Sequence, residues 1–340
     1  MQRLYRDSRA LTANCTFQRA MANPNSPPHS GTSPSNDASG ETDDANDLDT
    51  PACVLSFNAV DASGAAGMAA DLAAIGSVGG HALPVVTGAY TGDTAEIFDF
   101  YCMDDDAISE QARGVLEDME VLAIKVGFLG SPEAIGVVSA IASDYPEVPL
   151  IAYMPSLAWW QDSLIESYLD AFSEMLLPQT TVLVGNHSTL WRWLLPDWAG
   201  ARNPGARDIA KAAAECGVPY TLVTGIPLPD QHIENQLVTP QAVLVSEKFE
   251  RFEANFHGAG DTLSAALAAL IATGVDLAAA TTEALTYLDR CLDAGFRPGM
   301  GRFVPDRMFW AQGEDDDDDQ EAMLPLTAND LQLPDHSIKH

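Results

Sequence analysis

Between residues 53 and 312, short apolar runs alternate with stretches whose apolar positions recur at helical spacing. Val54-Leu55-Ser56-Phe57 reads as a buried strand, followed by a glycine-rich turn and a helix over 68–75. Further strands are predicted at 82–86, 121–126, 149–153, 181–184 and 220–223, and helices at 135–142, 164–176 and 209–215. Residues 242–245 and 251–254 fit a hairpin, and long helices follow over 262–273 and 277–294. Apolar strands alternating with amphipathic helices predict an α/β domain with a mostly parallel sheet covered on both faces.

The pattern stops at both ends. Residues 23–51 are rich in Pro, Ser, Asn, Thr, Gly and Asp and have almost no large apolar side chains. Such a segment cannot offset its ordering entropy and is predicted to be disordered. Residues 314–319 are a solvated acidic run opening a loose tail. The expected organisation is therefore a disordered segment at 1–52, one domain at 53–312 and a flexible acidic tail at 313–340, with Met21 as the expected true start.

Charge narrows the function. The net charge is −32, and 33 acidic against 12 basic residues lie between 53 and 312, so the domain itself is acidic. That surface repels nucleic acid and anionic membranes, and neither is expected as a partner. No run of ~18 apolar residues is present. Residues 1–20 carry four arginines but no continuous apolar segment, which speaks against a secretory signal and for the cytoplasm. The five cysteines have no C-x-x-C pair, so neither a disulfide framework nor a zinc site is expected.

Two strand-to-helix turns carry the candidate chemistry. The first is Asp61-Ala62-Ser63-Gly64-Ala65-Ala66-Gly67, with Asp71 one turn into the following helix. It is either a ligand-binding turn or simply a place where the chain reverses. The second is His257-Gly258-Ala259-Gly260-Asp261-Thr262. Its glycines permit a tight turn whose N–H groups converge at a helix start, where unpaired donors and the positive dipole end stabilise an anion. Asp261 is there either an ordinary helix cap or a general base accepting a substrate hydroxyl proton. No G-x-x-x-x-G-K-[ST] loop occurs, and the histidines lack metal spacing, so no metal ligand is assigned.

Together the turns resemble one family. Asp61-Ala62-Ser63-Gly64-Ala65-Ala66-Gly67 with Ala70-Asp71-Leu72 is similar to D-P-S-G-G-A-G…A-D-L, and Gly258-Ala259-Gly260-Asp261-Thr262-Leu263-Ser264 to G-[TS]-G-[CD]-T-L-[SA]. Both segments belong to the hydroxymethylpyrimidine and phosphomethylpyrimidine kinases of thiamine biosynthesis, in the ribokinase-like superfamily. Ile124-Lys125-Val126-Gly127-Phe128-Leu129-Gly130 resembles the family's I-K-I-G-M-L, and the ending Gly295-Phe296-Arg297-Pro298-Gly299-Met300-Gly301 resembles a proteobacterial branch. The resemblance implies a ribokinase-like three-layer α/β/α sandwich, usually dimeric, that uses ATP and Mg2+ to phosphorylate a pyrimidine. By position it implies Asp261 as base and Gly258, Ala259 and Gly260 as the anion hole. It implies Ala59, Asp71, Gly92 and Phe128 around the pyrimidine, and Asn186, Thr224 and Gly225 facing the nucleotide.

The chain also departs from the family. The Gln that reads the pyrimidine edge falls at Gly92, the pocket Met at Phe128, the D-P-V segment at Tyr153-Met154-Pro155-Ser156, and the Glu of N-x-x-E at Thr189. Two alternatives follow: a kinase for pyridoxal or a similar ring alcohol, and a non-catalytic binding paralogue.

Overall fold

The computed structural model describes residues 50–311. The expected segment at 1–52, apart from its last three residues, and the expected tail at 313–340 lie outside the described residues. The chain order is β1 (Cys53–Asp61), α1 (Gly67–Ser77), β2 (His81–Gly92), β3 (Ile97–Cys102), α2 (Asp105–Leu116), β4 (Val121–Val126), α3 (Pro132–Asp144) and β5 (Leu150–Met154). Then follow α4 (Asp162–Ala171), β6 (Val182–Asn186), α5 (His187–Leu194), α6 (Ala206–Glu215), β7 (Tyr220–Pro227), β8 (His232–Val238), β9 (Val243–Glu250), α7 (Ala259–Ala272) and α8 (Leu277–Asp293).

The nine strands form one sheet in the order β3-β2-β1-β4-β5-β6-β7-β8-β9. Strands β2, β1, β4, β5, β6 and β7 run parallel, while β3, β8 and β9 join antiparallel at the edges. The order reverses between β1 and β4, and ligands of open α/β sheets bind at the carboxyl ends of strands beside such a reversal.

Alternation along each strand sends side chains into two separate cores. Leu55, Phe57 and Ala59 of β1, with Ile124 and Val126 of β4, meet α2 to α6 on one face. Val54 and Ala123 meet α1, α7 and α8 on the other. Helix α7 buries eleven of its fourteen residues, and its run Ala265-Ala266-Leu267-Ala268-Ala269 lets it press closely between α1 and α8. The result is an α/β/α sandwich, as the sequence predicts.

Three local expectations need correction. The partner of β9 is β8, with Leu237 opposite Val245, and residues 251–254 form no strand. Strand β8 reads His-Ile-Glu-Asn-Gln-Leu-Val, a polar edge-region strand that a search for apolar runs passes over. For the same reason the largely exposed β3 is absent from the predicted elements. The helix expected over 164–176 is α4 followed by one π turn, Phe172–Leu176.

Candidate active site

The polar centre lies on the α7 side of the sheet, where β1 and β4 place Ser56, Asn58 and Lys125 among apolar neighbours. All three are buried, and Lys125 has no exposed surface. Its ammonium lies 2.7 Å from Asp71 Oδ1, 2.8 Å from Asp71 Oδ2 and 3.3 Å from Asp261 Oδ1. The Asn58 amide donates to both carboxylates, each at 2.9 Å, and Ser56 donates to Asp71 at 2.7 Å. Asn58 Oδ1 in turn accepts from the N–H groups of Ala59 and Phe128, which fixes the amide's orientation. Burial pushes the Asp71 carboxyl upward, against the pull of the Lys125 ammonium.

Asp71 therefore lies behind the cavity rather than in its lining. Both its oxygens are taken by Lys125, Ser56 and Asn58, so it braces Asp261 instead of meeting a ligand. Asp261 differs in the way that matters chemically: Oδ1 is held, while Oδ2 has no hydrogen-bond partner among the described residues. Its side chain keeps a small exposed surface, opening on the cavity.

The turn before Asp261 is the start of α7 itself. Gly258 is the N-cap, with φ of 81°, and Thr262 N–H makes the first intrahelical bond back to its carbonyl. The N–H groups of Ala259, Gly260 and Asp261 thus precede that bond as free donors. Asp261 is the third residue of the helix and bonds to Asn58 and Lys125, so it is not the cap. A side chain at 258 would also strike the Ala65 carbonyl, which a Cβ would meet at 1.9 Å. The two glycine-rich turns are packed against each other, and Arg307, almost fully buried, ties them together. Its guanidinium donates to Ala65 O and, at 2.9 Å, to Thr262 Oγ1.

The first turn is largely closed on itself. Asp61 accepts from Ser63 N–H, Ser63 Oγ and Ala66 N–H, and faces His257 Nε2 at 3.5 Å. Burial alone would raise the Asp61 carboxyl, but the bonds from His257 and Ser63 outweigh it and take it down to about 2. Only Ala66 and Gly67 of this turn reach the cavity.

Two cavities flank the start of α7. The larger, about 390 Å3, is lined by Asp261, Tyr90, Tyr153, Trp159, His257 and Arg302 among others. The smaller, about 180 Å3, is an apolar slot lined by Ile233, Phe249, Leu285, Leu288 and Leu292. Asn186, Thr224, Ala259, Gly260 and Leu263 line both, so the free donors stand on the dividing wall. Asn186, the last residue of β6, is the register partner of Thr224 within β7, and Gly225 faces the smaller cavity.

The structure thus brings together Asp261, Gly258, Ala259, Gly260, Asn186, Thr224 and Gly225, and leaves the other expected positions out of the lining. Ala59 is buried beneath the first turn. Phe128 is buried behind Tyr90 and Trp159, its ring 5.7 Å and 5.6 Å from theirs. Gly92 packs into the β2–β3 hairpin, where a Cβ would come within 2.5 Å of Glu96 O, while Tyr90 and Ile97 line the cavity instead. Thr189 faces a separate groove beside Ser156 and Trp193. Sequence reasoning gives no role to Asn58, Lys125, Arg302 or Arg307. The available signals are a lysine inside the apolar run Val121–Val126 and the i, i+2 pair Ser56 and Asn58 in a buried strand. Among the described residues, no cluster of three metal-ligating side chains occurs, and no helix is long and apolar enough to cross a membrane.

A mostly parallel sheet, a helix start with free N–H donors and a carboxylate beside it, with a cavity on either side, fit a ribokinase-like small-molecule kinase. A statistical model of the phosphomethylpyrimidine kinase family matches residues 61–306, and the chain belongs to that family. It is 29% identical over 255 residues to the hydroxymethylpyrimidine/phosphomethylpyrimidine kinase of Mycobacterium tuberculosis, covering 74% of this chain and 92% of that one. It is 27% identical over 270 residues to the enzyme of the same name from Streptomyces coelicolor, covering 78% and 97%. Among solved structures, the fold resembles Bacillus subtilis pyridoxal kinase in its ADP complex (TM-score 0.69, 19% identity, 77% of this chain and 99% of that one). It also resembles phosphomethylpyrimidine kinase from Clostridium difficile (TM-score 0.57, 20% identity, 69% and 98%).

Proposed function

We propose that this protein is an ATP-dependent kinase of thiamine biosynthesis, phosphorylating hydroxymethylpyrimidine, its monophosphate, or both. The observation that carries the reading is the pairing of a free Asp261 Oδ2 with three free N–H donors on the wall between two cavities. In this reading the apolar slot takes the nucleotide base, and the aromatic-lined cavity takes the pyrimidine. The substrate oxygen attacks the γ-phosphorus, and the bond from that phosphorus to the β,γ-bridging oxygen breaks. ADP leaves with the electron pair, and Asp261 Oδ2 accepts the hydroxyl proton. The donors of Ala259, Gly260 and Asp261 stabilise charge on the transferring group.

Magnesium would neutralise charge on the nucleotide phosphates. It binds largely through phosphates and water and needs only one or two protein oxygens. Asp261 Oδ2 and Thr224 Oγ1, both at the larger cavity, could supply them, whereas Asn186 Oδ1 already accepts from Ser188 N–H and Oγ. The family resemblance further supports residues 53–312 as the kinase domain, a homodimer, and action in the cytoplasm.

The test is a panel of hydroxymethylpyrimidine, its monophosphate and pyridoxal with ATP, run on the full chain and on Asp261→Asn. Turnover of a pyrimidine by the full chain, falling about 10²–10⁴-fold in a variant that melts normally, is expected. Undiminished turnover removes Asp261 as base. Binding without turnover of any substrate by the unmutated chain favours a non-catalytic paralogue.

A further inference from the structure

The substrate cavity sits in a protein of net charge −32, yet it has to admit an anion if the monophosphate is a substrate. Its cationic side chains are therefore informative. Lys125 is committed to Asp71 and Asp261, and Arg307 to Ala65 and Thr262. Of the side chains lining the cavity, only His257 and Arg302 can be cationic, and His257 faces Asp61. Arg302 is exposed and makes no ion pair among the described residues.

The backbone that carries Arg302 is held from both sides. Arg302 N–H donates to Thr94 O at 2.9 Å, and Gly301 N–H to Thr94 Oγ1 at 3.0 Å, which fastens the segment to the β2–β3 turn. The next residue, Phe303, donates to Asn255 O and accepts from His257 N–H, fastening it to the approach to α7. Arg297 closes the loop by donating to the carbonyls of Met300 and Gly301. These bonds fix the backbone of position 302 at the cavity, and the Arg302 guanidinium has no hydrogen-bond partner among the described residues.

We infer that Arg302 is the residue that binds the substrate's own phosphate, favouring the monophosphate over the free alcohol. This rests on the kinase reading above. A guanidinium suits the task because its planar fork can hold two phosphate oxygens at once, leaving the third to attack.

The experiment compares the full chain with Arg302→Ala and Arg302→Lys, using hydroxymethylpyrimidine and its monophosphate. In Arg302→Ala the ratio of kcat/KM for the monophosphate to kcat/KM for the alcohol should fall about 10–100-fold. Arg302→Lys should recover part of that ratio, since it keeps the charge but not the fork. Calorimetry with the monophosphate alone, without nucleotide, should show Kd rising by a similar factor in Arg302→Ala. An unchanged ratio overturns the inference, and so does an equal fall for both substrates with a raised KM for ATP, which would put Arg302 on the nucleotide. If the unmutated chain binds the monophosphate but turns over neither substrate, the kinase reading fails. Loss of that binding in Arg302→Ala would then still support the Arg302 assignment.

Discussion

The Lys125 ammonium lies 2.7 Å from Asp71 and 3.3 Å from Asp261, so one fully buried cation serves two carboxylates. Asn58 bridges the same two groups from the other side. The consequence for chemistry is directional: Asp261 cannot rotate without giving up Oδ1 bonds, which keeps Oδ2 turned to the cavity. Asp71 is linked to Asp261 through this lysine and amide.

Removing the cation should be costly. Lys125→Met leaves Asp71 buried beside Asp261 without its counter-charge, and breaking a buried pair typically destabilises by about 3–5 kcal/mol. Urea denaturation should show that loss. Adding Asp71→Asn in the same chain should restore much of it, because no uncompensated charge then remains at position 71. A loss below about 1 kcal/mol for the single variant would mean that water reaches Asp71.

The sheet, the helices that cover it and the turn at Gly258 are legible in the sequence because each depends on local pattern. Apolar strands, helical periodicity and Gly-Ala-Gly before a helix all report themselves within a few residues. The pocket is less legible because its walls come from distant segments. Asp71 looks like a ligand residue until Lys125, fifty-four positions on, is seen to occupy it. Gly92 looks like a missing contact until the hairpin register sets it against Glu96 and Ile97. Arg302 and Arg307 carry no local signal at all, since their meaning depends on which turns the segment after α8 crosses.

Asp61 gives a pH-dependent signature. Its carboxyl falls from the usual 3.8 to about 2 in the folded protein. A group depressed in this way stabilises the fold above its unfolded value near 3.8, and that contribution is lost as pH falls through about 2. Asp61→Asn should therefore cost about 2 kcal/mol near pH 6, with the gap to the unmutated chain narrowing between pH 4 and pH 2. Urea midpoints at several pH values check this. A gap that stays constant with pH would mean the loss comes from the turn's geometry and not from the charge.

The last prediction concerns Gly260, where the usual expectation for a helix reverses sign. Its φ is not positive, so alanine fits the backbone, and Gly→Ala inside a helix ordinarily stabilises by about 1 kcal/mol. Here the added Cβ would lie 2.2 Å from both Cζ and Oη of Tyr153, whose ring rests on the turn. Either the ring or the turn has to move, and overpacking of this kind typically costs about 1–3 kcal/mol. Displacing the turn also misaims its N–H donors, and the loss of one such donor is worth about 10²–10³ in turnover. Gly260→Ala should therefore lose both stability and kcat. Tyr153→Ala opens space for the new methyl, so Gly260→Ala should cost a smaller fraction of kcat in that background than in the unmutated chain, a partial recovery. Tyr153→Phe should give no such recovery, because Cζ remains in the way. Melting curves and steady-state kinetics decide it, with Gly260→Ala introduced into the unmutated chain, into Tyr153→Phe and into Tyr153→Ala. Equal losses from Gly260→Ala in all three backgrounds would show that the ring is not what keeps position 260 bare.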